Sequence, residues 1–433
     1  MKNELYKAAE FALAELKTQG ADGAEVTVSK QRTEELNVDA GKFSLMRTTF
    51  NSTLTIRALV GGRKGVFSLN ALDDASVVKA AKSAVESALN SEPDDAEIIA
   101  DSIGEHDFSS GIAEPNLDKL YDRIDEYMKS VAAEFPKVDL MQIVTNVEMP
   151  AMLYANSNGT RVFQQLGWYE FSGTFSGRDG EKTSSMSGYG FAVDDLETPF
   201  LDIAEMRRIH REAEAQIETV PVSGKFVGKL LVAPDCVTTF LGSVLSNCVS
   251  TGSLIAGVSP WRDKLGEPVA NPRLSLASDP LNPAFVGTSR LTSDGYLVGR
   301  QEIIADGVLT GFLLSQYGAR KTGKSRASSY GGSYVMAPGD KTFDELLASI
   351  DEGVLVNRFS GGSPALNGEF SGVAKNSFMI RNGKICEAVS ETMISGNLLE
   401  MLTHVAGIGS ELINDGSKLV PWVLFDGVTV SGK

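Results

Sequence analysis

The feature that most constrains the fold is the sequence beyond Pro221, which is a long series of short β-like segments. Glycines and the dipeptides Asn-Pro and Asp-Gly separate these segments, as turns between strands require. Clear examples are residues 302–304, 308–314, 377–380 and 423–430. Helical periodicity is restricted to residues 235–246, 343–350 and 397–405. This pattern predicts a mostly antiparallel, β-rich C-terminal domain, to which we assign residues 221–433.

Residues 1–91 have a different pattern, in which two helices enclose strand-like runs. The first helix opens the chain with apolar residues at helical spacing. The second is predicted over residues 73–89, with Asp73 or Asp74 as its N-cap. The strand-like runs between them are residues 24–29, 35–38, 52–60 and 65–68. We predict an N-terminal α+β domain over residues 1–91.

Residues 117–220 repeat this arrangement and form a predicted central α+β domain. Helical periodicity covers residues 118–135 and 201–216, with strand-like runs between them. Residues 92–116 are acidic, contain many Ser and Gly residues, and predict a connector on the surface. The predicted fold class is therefore α+β, with N-terminal α/β units that have mixed or antiparallel sheets and flanking helices, followed by the β domain.

The charge balance excludes several classes of partner. The 433 residues include 40 Lys and Arg against 56 Asp and Glu, a net charge of -16, with no basic run of five residues. Direct nucleic-acid binding and attraction to anionic membranes are therefore disfavoured. No uncharged apolar run reaches the roughly 18 residues that a membrane-spanning helix needs. Glu4, Glu10 and Glu15 interrupt any signal-peptide core, so we expect a cytoplasmic protein.

One segment matches the P-loop pattern G-x4-G-K-[ST], from Gly318 to Gly323, Lys324 and Ser325. A P-loop follows a buried strand and opens a helix. Residues 309–317 could form the strand, but the sequence after Ser325 contains paired glycines and a proline and cannot form the helix. We therefore interpret the match as accidental.

Metal and nucleophile motifs are absent from the sequence. The three histidines are His106, His210 and His404, and none belongs to an HExxH or HxxEH motif. The pattern GxSxG does not occur, and no cysteine lies in a local signature beside a histidine. The cysteines, Cys236, Cys248 and Cys386, are too few and too widely spaced for a disulfide framework. The residues alone therefore define an α+β protein without an assigned activity.

A series of short motifs along almost the whole chain resembles the TldD/TldE family, whose TldE members are also called PmbA and were historically labelled modulators of DNA gyrase. The strongest is Asn-Gly-Glu-Phe-Ser-Gly at residues 367–372. The others are Ile-Arg at 56–57, Gly-Gly-Arg-Lys-Gly at 61–65, Asn-Ser-Asn-Gly-Thr at 156–160, Asp-Lys-Leu-Gly at 263–266, Asp-Gly at 294–295, Asp-Gly-Val-Leu at 306–309, Tyr-Gly-Ala-Arg-Lys-Thr-Gly at 317–323, Ile-Arg-Asn-Gly-Lys-Ile at 380–385 and Ile-Ser-Gly-Asn-Leu at 394–398.

The resemblance also implies where metal ligands should lie. TldD-like chains resemble zinc peptidases in which an HExxxH helix supplies two histidines and a glutamate base, and a cysteine near the C-terminus is the third ligand. An ungapped placement puts the histidine positions at Gly242 and Asn247 and the glutamate position at Ser243. Cys248 lies one residue further on, and residues 411–416 contain no cysteine. This chain therefore resembles the TldE/PmbA type, without metal ligands or catalytic residues of its own.

The resemblance implies a function in a peptidase complex. The chain would be a non-catalytic subunit that forms a heterodimer with a TldD-like chain, and zinc is expected only in that partner. The complex would cleave small or unfolded peptides, and Gly242, Ser243, Asn247, Asn367 and Glu369 would line the substrate cleft. The alternative is a self-standing homodimeric binding or regulatory protein. A third, weaker hypothesis is a hydrolase with another set of residues near 242–247. No residue pattern supports direct binding of gyrase or DNA.

Overall fold

A computed structural model describes residues 1–390 and 392–432 and confirms the α+β class. The N-terminal half contains α1 (Lys2–Thr18), β1 (Gly23–Asp39), β2 (Lys42–Val60), β3 (Arg63–Leu69), α2 (Asp74–Leu89), β4 (Glu105–Gly111), α3 (Leu117–Glu134), β5 (Val138–Asn156), β6 (Arg161–Asp179), β7 (Lys182–Thr183), β8 (Ser187–Val193), a 3-10 turn (Phe200–Asp202) and α4 (Met206–Ala215).

These strands form one eight-stranded sheet in the order β3-β2-β1-β5-β6-β4, with β7 and β8 also paired to β6. Alternate residues of the strands, such as Val26, Ile56 and Leu153, are buried under α1 and α2. The same face of the sheet carries α3 and α4 further along the strands. The helices therefore cover one face, and the other face is left for the C-terminal half and for solvent.

Two expectations for this half need correction. Strands from residues 1–91 and 117–220 belong to the same sheet, because β1 pairs with β5 from Glu25↔Asn156 to Asp39↔Gln142. Residues 92–116 are more than a surface connector, since β4 lies within them and pairs in parallel with β6. Ala96 and Ala100 are also buried. Strand pairing across the chain gives order to a segment whose sequence has weak periodicity.

The C-terminal half contains the remaining elements. They are β9 (Val220–Pro221), β10 (Lys225–Val232), α5 (Pro234–Cys248), α6 (Thr251–Ile255), β11 (Leu276–Ser278), β12 (Gln301–Ala305), β13 (Val308–Leu309), α7 (Gln316–Thr322), β14 (Tyr334–Met336), α8 (Phe343–Ala348), β15 (Glu352–Val356), β16 (Arg358–Gly361), β17 (Glu369–Lys375), β18 (Ser377–Arg381), β19 (Lys384–Ser390), β20 (Met393–Asn397), α9 (Leu398–Thr403), β21 (Val405–Asn414) and β22 (Leu419–Ser431).

The C-terminal strands form a second, fourteen-stranded sheet, which is mostly antiparallel as expected. Its central path runs β14-β22-β10-β15-β18, and β16, β17 and β20 extend it beside β22. The main core lies between this sheet, α5 and α9. The short helices α6 and α7 were not expected, because five and seven residues are too few to show helical periodicity.

The two halves pack through the uncovered face of the first sheet. The Tyr154 ring lies against Gly295, where an added Cβ would come within 2.2 Å of the phenolic oxygen. The Gln164 side-chain oxygen accepts a hydrogen bond from the Arg290 amide at 2.6 Å. In the described part of the chain, no helix is both long and apolar enough to cross a bilayer.

Candidate functional site

Helix α5 carries the three positions at which the family resemblance implies two histidine ligands and a glutamate base. Its apolar residues recur at helical spacing and are buried against α9 and β22. They are Val237, Phe240, Leu241, Val244, Leu245 and Cys248. The opposite face therefore carries Gly242, Ser243 and Asn247, which are exposed or half-buried.

The surroundings of these three residues differ. A Cβ added at Gly242 would meet no atom within 4 Å, so this position faces open space. The Ser243 hydroxyl donates to the Thr239 carbonyl of its own helix at 3.3 Å. The Asn247 amide donates to the carbonyls of Pro364 and Ala365, at 3.4 and 3.3 Å. Asn247 therefore anchors the loop before β17.

This set of side chains does not fit a zinc ion. Gly242 offers no donor atom, and zinc sites in proteins are built from Cys, His and carboxylate ligands. The adjacent Cys248 is directed into the core, away from the exposed face of α5, and burial raises its pKa to about 12. Within residues 1–390 and 392–432, no group of three His, Cys, Asp or Glu residues is arranged to hold a metal.

The other two predicted cleft residues, Asn367 and Glu369, lie at the start of β17. The Asn367 side chain accepts from the Glu369 amide at 3.1 Å, and its carbonyl accepts from the Asn397 amide group at 2.8 Å. Gly368 between them has φ +91°, and a Cβ there would lie 2.5 Å from the Asn397 side chain. The turn therefore requires glycine, which explains the Asn-Gly-Glu pattern.

A groove of about 930 Å³ opens beside this turn, between β17, β20, α9 and the turn within β22. Glu369 lines it, together with Glu400, His404 and Asp426. Ala365 also lines the groove, and Asn247 holds it in place through the hydrogen bond to the Ala365 carbonyl. Gly242 and Ser243 do not line the groove. Of the five residues predicted to line a cleft, Glu369 lines this groove, Asn367 lies in the turn beside it, and Gly242 lies outside it.

The polar groups of the groove are suited to binding. Three carboxylates face one imidazole, so the groove favours cationic groups such as amines. The Thr403 hydroxyl lies 3.2 Å from His404 Nδ1 but donates to the Glu400 carbonyl at 2.7 Å. His404 Nδ1 is also 2.8 Å from that carbonyl. Both groups therefore cap the end of α9 and do not form a nucleophile and base pair.

Sequence reasoning missed the roles of Glu400, His404 and Asp426. The available signal was the Ile-Ser-Gly-Asn-Leu motif, because Asn397 caps α9 and so places Glu400 and His404 one and two turns later. Nothing in the local sequence connects Asp426 to them, since it lies in a different strand.

The P-loop match has another structural role. Of the β-like segment 308–314 upstream of it, only Val308–Leu309 forms a strand, and residues 310–315 lie outside any named strand. Residues 316–322 form α7, which ends at Gly323 with φ +69°. A P-loop has the reverse order, with the helix after the glycine loop. The Tyr317 hydroxyl donates to Asp94 at 2.9 Å, and Lys321 Nζ lies 2.8 Å from the same carboxylate. Arg320 donates to the Asp95 carbonyl. The motif therefore fastens residues 94–95 to the C-terminal half.

Comparison with known proteins agrees with this architecture. The two-sheet fold is that of a metallopeptidase-like chain. Residues 24–88 match the first domain and residues 224–432 the C-terminal domain of the PmbA/TldA metallopeptidases. The chain belongs to the PmbA/TldD family.

One curated relative and two solved structures match this chain over nearly their full lengths. The chain is 26% identical to the metalloprotease PmbA of Escherichia coli O157:H7 over 430 residues, which cover 94% of this chain and 93% of that protein. TldE from Thermococcus kodakarensis has the same fold, with a TM-score of 0.84 at 20% identity, covering 98% of this chain and all of the other. A Bacteroides thetaiotaomicron protein described as a modulator of DNA gyrase also has this fold. Its TM-score is 0.84 at 23% identity, and the match covers 99% of both chains.

Proposed function

We propose that this chain is a TldE/PmbA-like, non-catalytic subunit of a cytoplasmic two-chain zinc peptidase that cleaves small or unfolded peptides. A TldD-like partner would hold the zinc and the catalytic residues. The observation that supports this proposal is the chemistry of the exposed face of α5, because Gly242, Ser243 and Asn247 lie where the family resemblance implies two histidines and a glutamate, and these residues do not fit a zinc ion. The full-length similarity to a chain named metalloprotease PmbA supports the same assignment.

The groove beside β17 gives this subunit a role in holding peptide. Strand β16 pairs only with β17 in the described residues, so its outer edge is unpaired near the groove. An extended peptide can add to such an edge through main-chain hydrogen bonds, with little dependence on its side chains. Glu369, Glu400 and Asp426 would then favour peptides with positive charges.

Metal content and cleavage by the isolated chain and by the complex test the proposal. The isolated chain should contain no stoichiometric zinc and cleave no fluorogenic peptide. Co-purification with a TldD-like chain should give cleavage that a chelator abolishes. Stoichiometric zinc in the isolated chain, with cleavage sensitive to a chelator, would contradict the proposal.

The contribution of the groove can be separated from assembly. In the complex, the double substitution Glu369→Gln with Glu400→Gln should raise KM for a basic peptide by about fivefold and leave kcat nearly unchanged, because it removes ground-state binding. Glu352→Gln is the matched control, since Glu352 is exposed on β15 and lies outside the groove. Equal effects of the two changes would show that the groove does not bind substrate.

The alternative is a self-standing homodimeric binding protein without peptidase activity. The specific observation in its favour is the outer edge of β2, where β3 covers only residues from Leu54 onward and no described strand pairs with residues 42–53. A protein that never acquires peptidase activity with a TldD-like chain, but is a stable dimer alone, would favour this alternative.

A further inference from the structure

A small cavity of about 90 Å³ lies between the two halves of the molecule and shares no lining residue with the groove. The N-terminal half contributes residues of β8 and α4, and the C-terminal half contributes the first turn of α5 and the base of the hairpin formed by β16 and β17. Its wall includes Glu212 of α4 and, at the hairpin base, Asn357, Arg358 and Asn376. By volume the cavity holds about six to nine water-sized groups. It is therefore large enough for a small organic molecule.

Two side chains on this wall have acceptor oxygens without donors. Asn376 is 9% exposed, and its side-chain oxygen has no hydrogen-bond partner among the described residues. Glu212 accepts from Arg208 and from the Asn357 amide group through the same oxygen, Oε2, and no described residue donates to its Oε1. Buried polar atoms are normally paired, so unpaired acceptors beside a cavity favour an occupant that donates hydrogen bonds. A protonated amine, with its three donors, suits this pair of acceptors.

The base of the hairpin has the opposite requirement. Arg358 Nε is buried and has no acceptor among the described residues. The cations in the ion pairs at the cavity are Arg208 and Lys418, and none of these pairs uses Arg358. The residue opposite Arg358 on β17 is Lys375, so the neighbouring strand supplies no carboxylate there. A guanidinium binds a carboxylate through two parallel N–H donors, so Arg358 favours an occupant with a carboxylate.

The charges around the cavity are divided in the same way. Glu205 and Glu212 share the single cation Arg208, which leaves one negative charge on the side of α4. Arg358 leaves one positive charge on the side of the hairpin. A molecule with an ammonium group at one end and a carboxylate at the other matches both charges. It also adds no net charge to a partly buried site, where an unpaired charge is costly.

We propose that this cavity is a binding site for a small free α-amino acid, such as alanine. The ammonium group lies against Glu212 and Asn376, and the carboxylate lies against Arg358. The volume of the cavity admits only a short side chain. This goes beyond the proposed function, because binding needs neither zinc nor a peptidase partner.

The position of the site connects it to the groove. The Asn357 amide group donates to the Asn376 carbonyl at 2.7 Å and closes the base of the hairpin. The other end of the same hairpin lines the groove through Gly362 and Glu369. An amino acid held between α4 and the hairpin base therefore restrains one wall of the groove.

Isothermal titration calorimetry of the full chain with L-alanine tests the proposal. We expect one site per chain with a Kd of about 1 mM or tighter, and a higher melting temperature at saturating L-alanine. Propionate lacks the amine and ethylamine lacks the carboxylate, and each should bind at least about tenfold more weakly. The proposal is overturned if L-alanine does not bind, or if either of these two molecules binds equally well.

Substitutions on the hairpin test where the amino acid binds. Arg358→Gln should raise the Kd for L-alanine by about tenfold or more, because the carboxylate loses its charged partner. Lys375→Gln is the matched control, since Lys375 lies opposite Arg358 on the hairpin but outside the cavity, and should change the Kd by less than about twofold. Circular dichroism and melting curves confirm that both variants are folded.

Hydrogen–deuterium exchange gives an independent test of the position. Addition of L-alanine should slow exchange within residues 357–376 of the wild-type chain, because the occupied site restrains the hairpin. Binding that leaves this exchange unchanged, or that both substitutions weaken equally, overturns the proposal. Either result leaves the proposed function standing, since that function depends on α5 and a partner chain and not on this cavity.

Discussion

At the scale of single residues, His210 shows how burial fixes a protonation state. The residue is fully buried on α4. Its Nε2 lies 2.8 Å from the Tyr127 hydroxyl and its Nδ1 2.7 Å from the Met206 carbonyl. The ring also stacks on Phe175 at 4.2 Å. Burial lowers the pKa of His210 to about 4, below the ordinary value of about 6.5. The folded chain therefore binds this proton less readily than the unfolded chain.

We predict that His210→Gln reduces the dependence of stability on pH between about 6.5 and 4. The stability that depends on the neutral histidine is fully present above the unfolded pKa and is lost as the pH falls through the folded pKa. A shift of this size corresponds to about 3 kcal/mol in the free energy of unfolding. Glutamine retains a hydrogen-bonding partner for Tyr127. Urea unfolding at a series of pH values between 7 and 4 measures the effect.

His404→Gln is the control, because His404 is exposed at the end of α9. The free energy of unfolding of the His404→Gln variant should depend on pH in the same way as that of the wild type. If both substitutions flatten the curve equally, the effect does not come from burial of His210.

At the scale of elements, two glycines differ in whether their surroundings leave room for a side chain. Gly65 lies on β3 directly under α2, where a Cβ would come within 1.9 Å of the Ala84 carbonyl and 2.5 Å of the Ala88 amide. We predict that Gly65→Ala lowers the free energy of unfolding by about 2–3 kcal/mol, because β3 and α2 must move apart. Chemical denaturation measures this loss.

Gly242→Ala should raise the free energy of unfolding, in contrast to Gly65→Ala. Gly242 lies inside α5 with open space around it, and alanine is a better helix former by about 1 kcal/mol. A gain of up to that amount is expected. A loss as large as that for Gly65→Ala would mean that the surface of α5 at this position is packed against something in solution.

The elements also show what local sequence can predict. The apolar spacing of residues 73–89 and 235–246 predicted α2 and α5 to within two residues at each end. Asp73 is the N-cap and accepts from the Ser76 amide, as expected. The short runs at 24–29 and 35–38 proved to be parts of one strand, β1. Its middle is polar on both faces, because Lys30, Arg32 and Glu34 occupy the helix-covered face and Gln31 and Thr33 the other. The hydrophobic signal therefore fades although the pairing continues.

The candidate site was predictable only in part for a related reason. Asn367 and Glu369 could be identified from the sequence because the turn between them requires glycine, which gives the motif Asn-Gly-Glu. Glu400, His404 and Asp426 come together from a helix and a distant strand, and only tertiary pairing through β20 and β22 places them side by side. A single sequence contains no record of that pairing.

At the scale of the whole molecule, Asp94 joins the halves through α7. It accepts from Tyr317 and the Ala96 amide and pairs with Lys321, and these contacts hold its pKa at about 2. We predict that Asp94→Asn lowers the melting temperature at pH 7. Because the folded pKa is depressed, this contribution is present above about pH 4 and is lost as the pH falls toward 2. Asp95→Asn, at an exposed neighbour, should have no such effect.

Arg208 forms the second junction between the halves. Its guanidinium donates to both oxygens of Glu205 at 2.8 Å and to Glu212 at 2.5 Å, all on or beside α4. It also donates to the Asn357 side chain at 3.0 Å and lies 4.7 Å from the centre of the Trp422 ring. Burial raises the pKa of Glu212, and Arg208 is the charge that opposes this shift.

We predict that Arg208→Met lowers the free energy of unfolding by about 3–5 kcal/mol, because it leaves a buried carboxylate without its partner. The double variant Arg208→Met with Glu212→Gln should recover part of this loss, since the unpaired charge is then removed as well. Arg207→Met is the matched control, because Arg207 pairs with Asp202 and Glu134 at the surface and should cost less than about 1 kcal/mol. Equal losses for the two arginines in urea unfolding would show that the junction between the halves is not held by the buried charge pair.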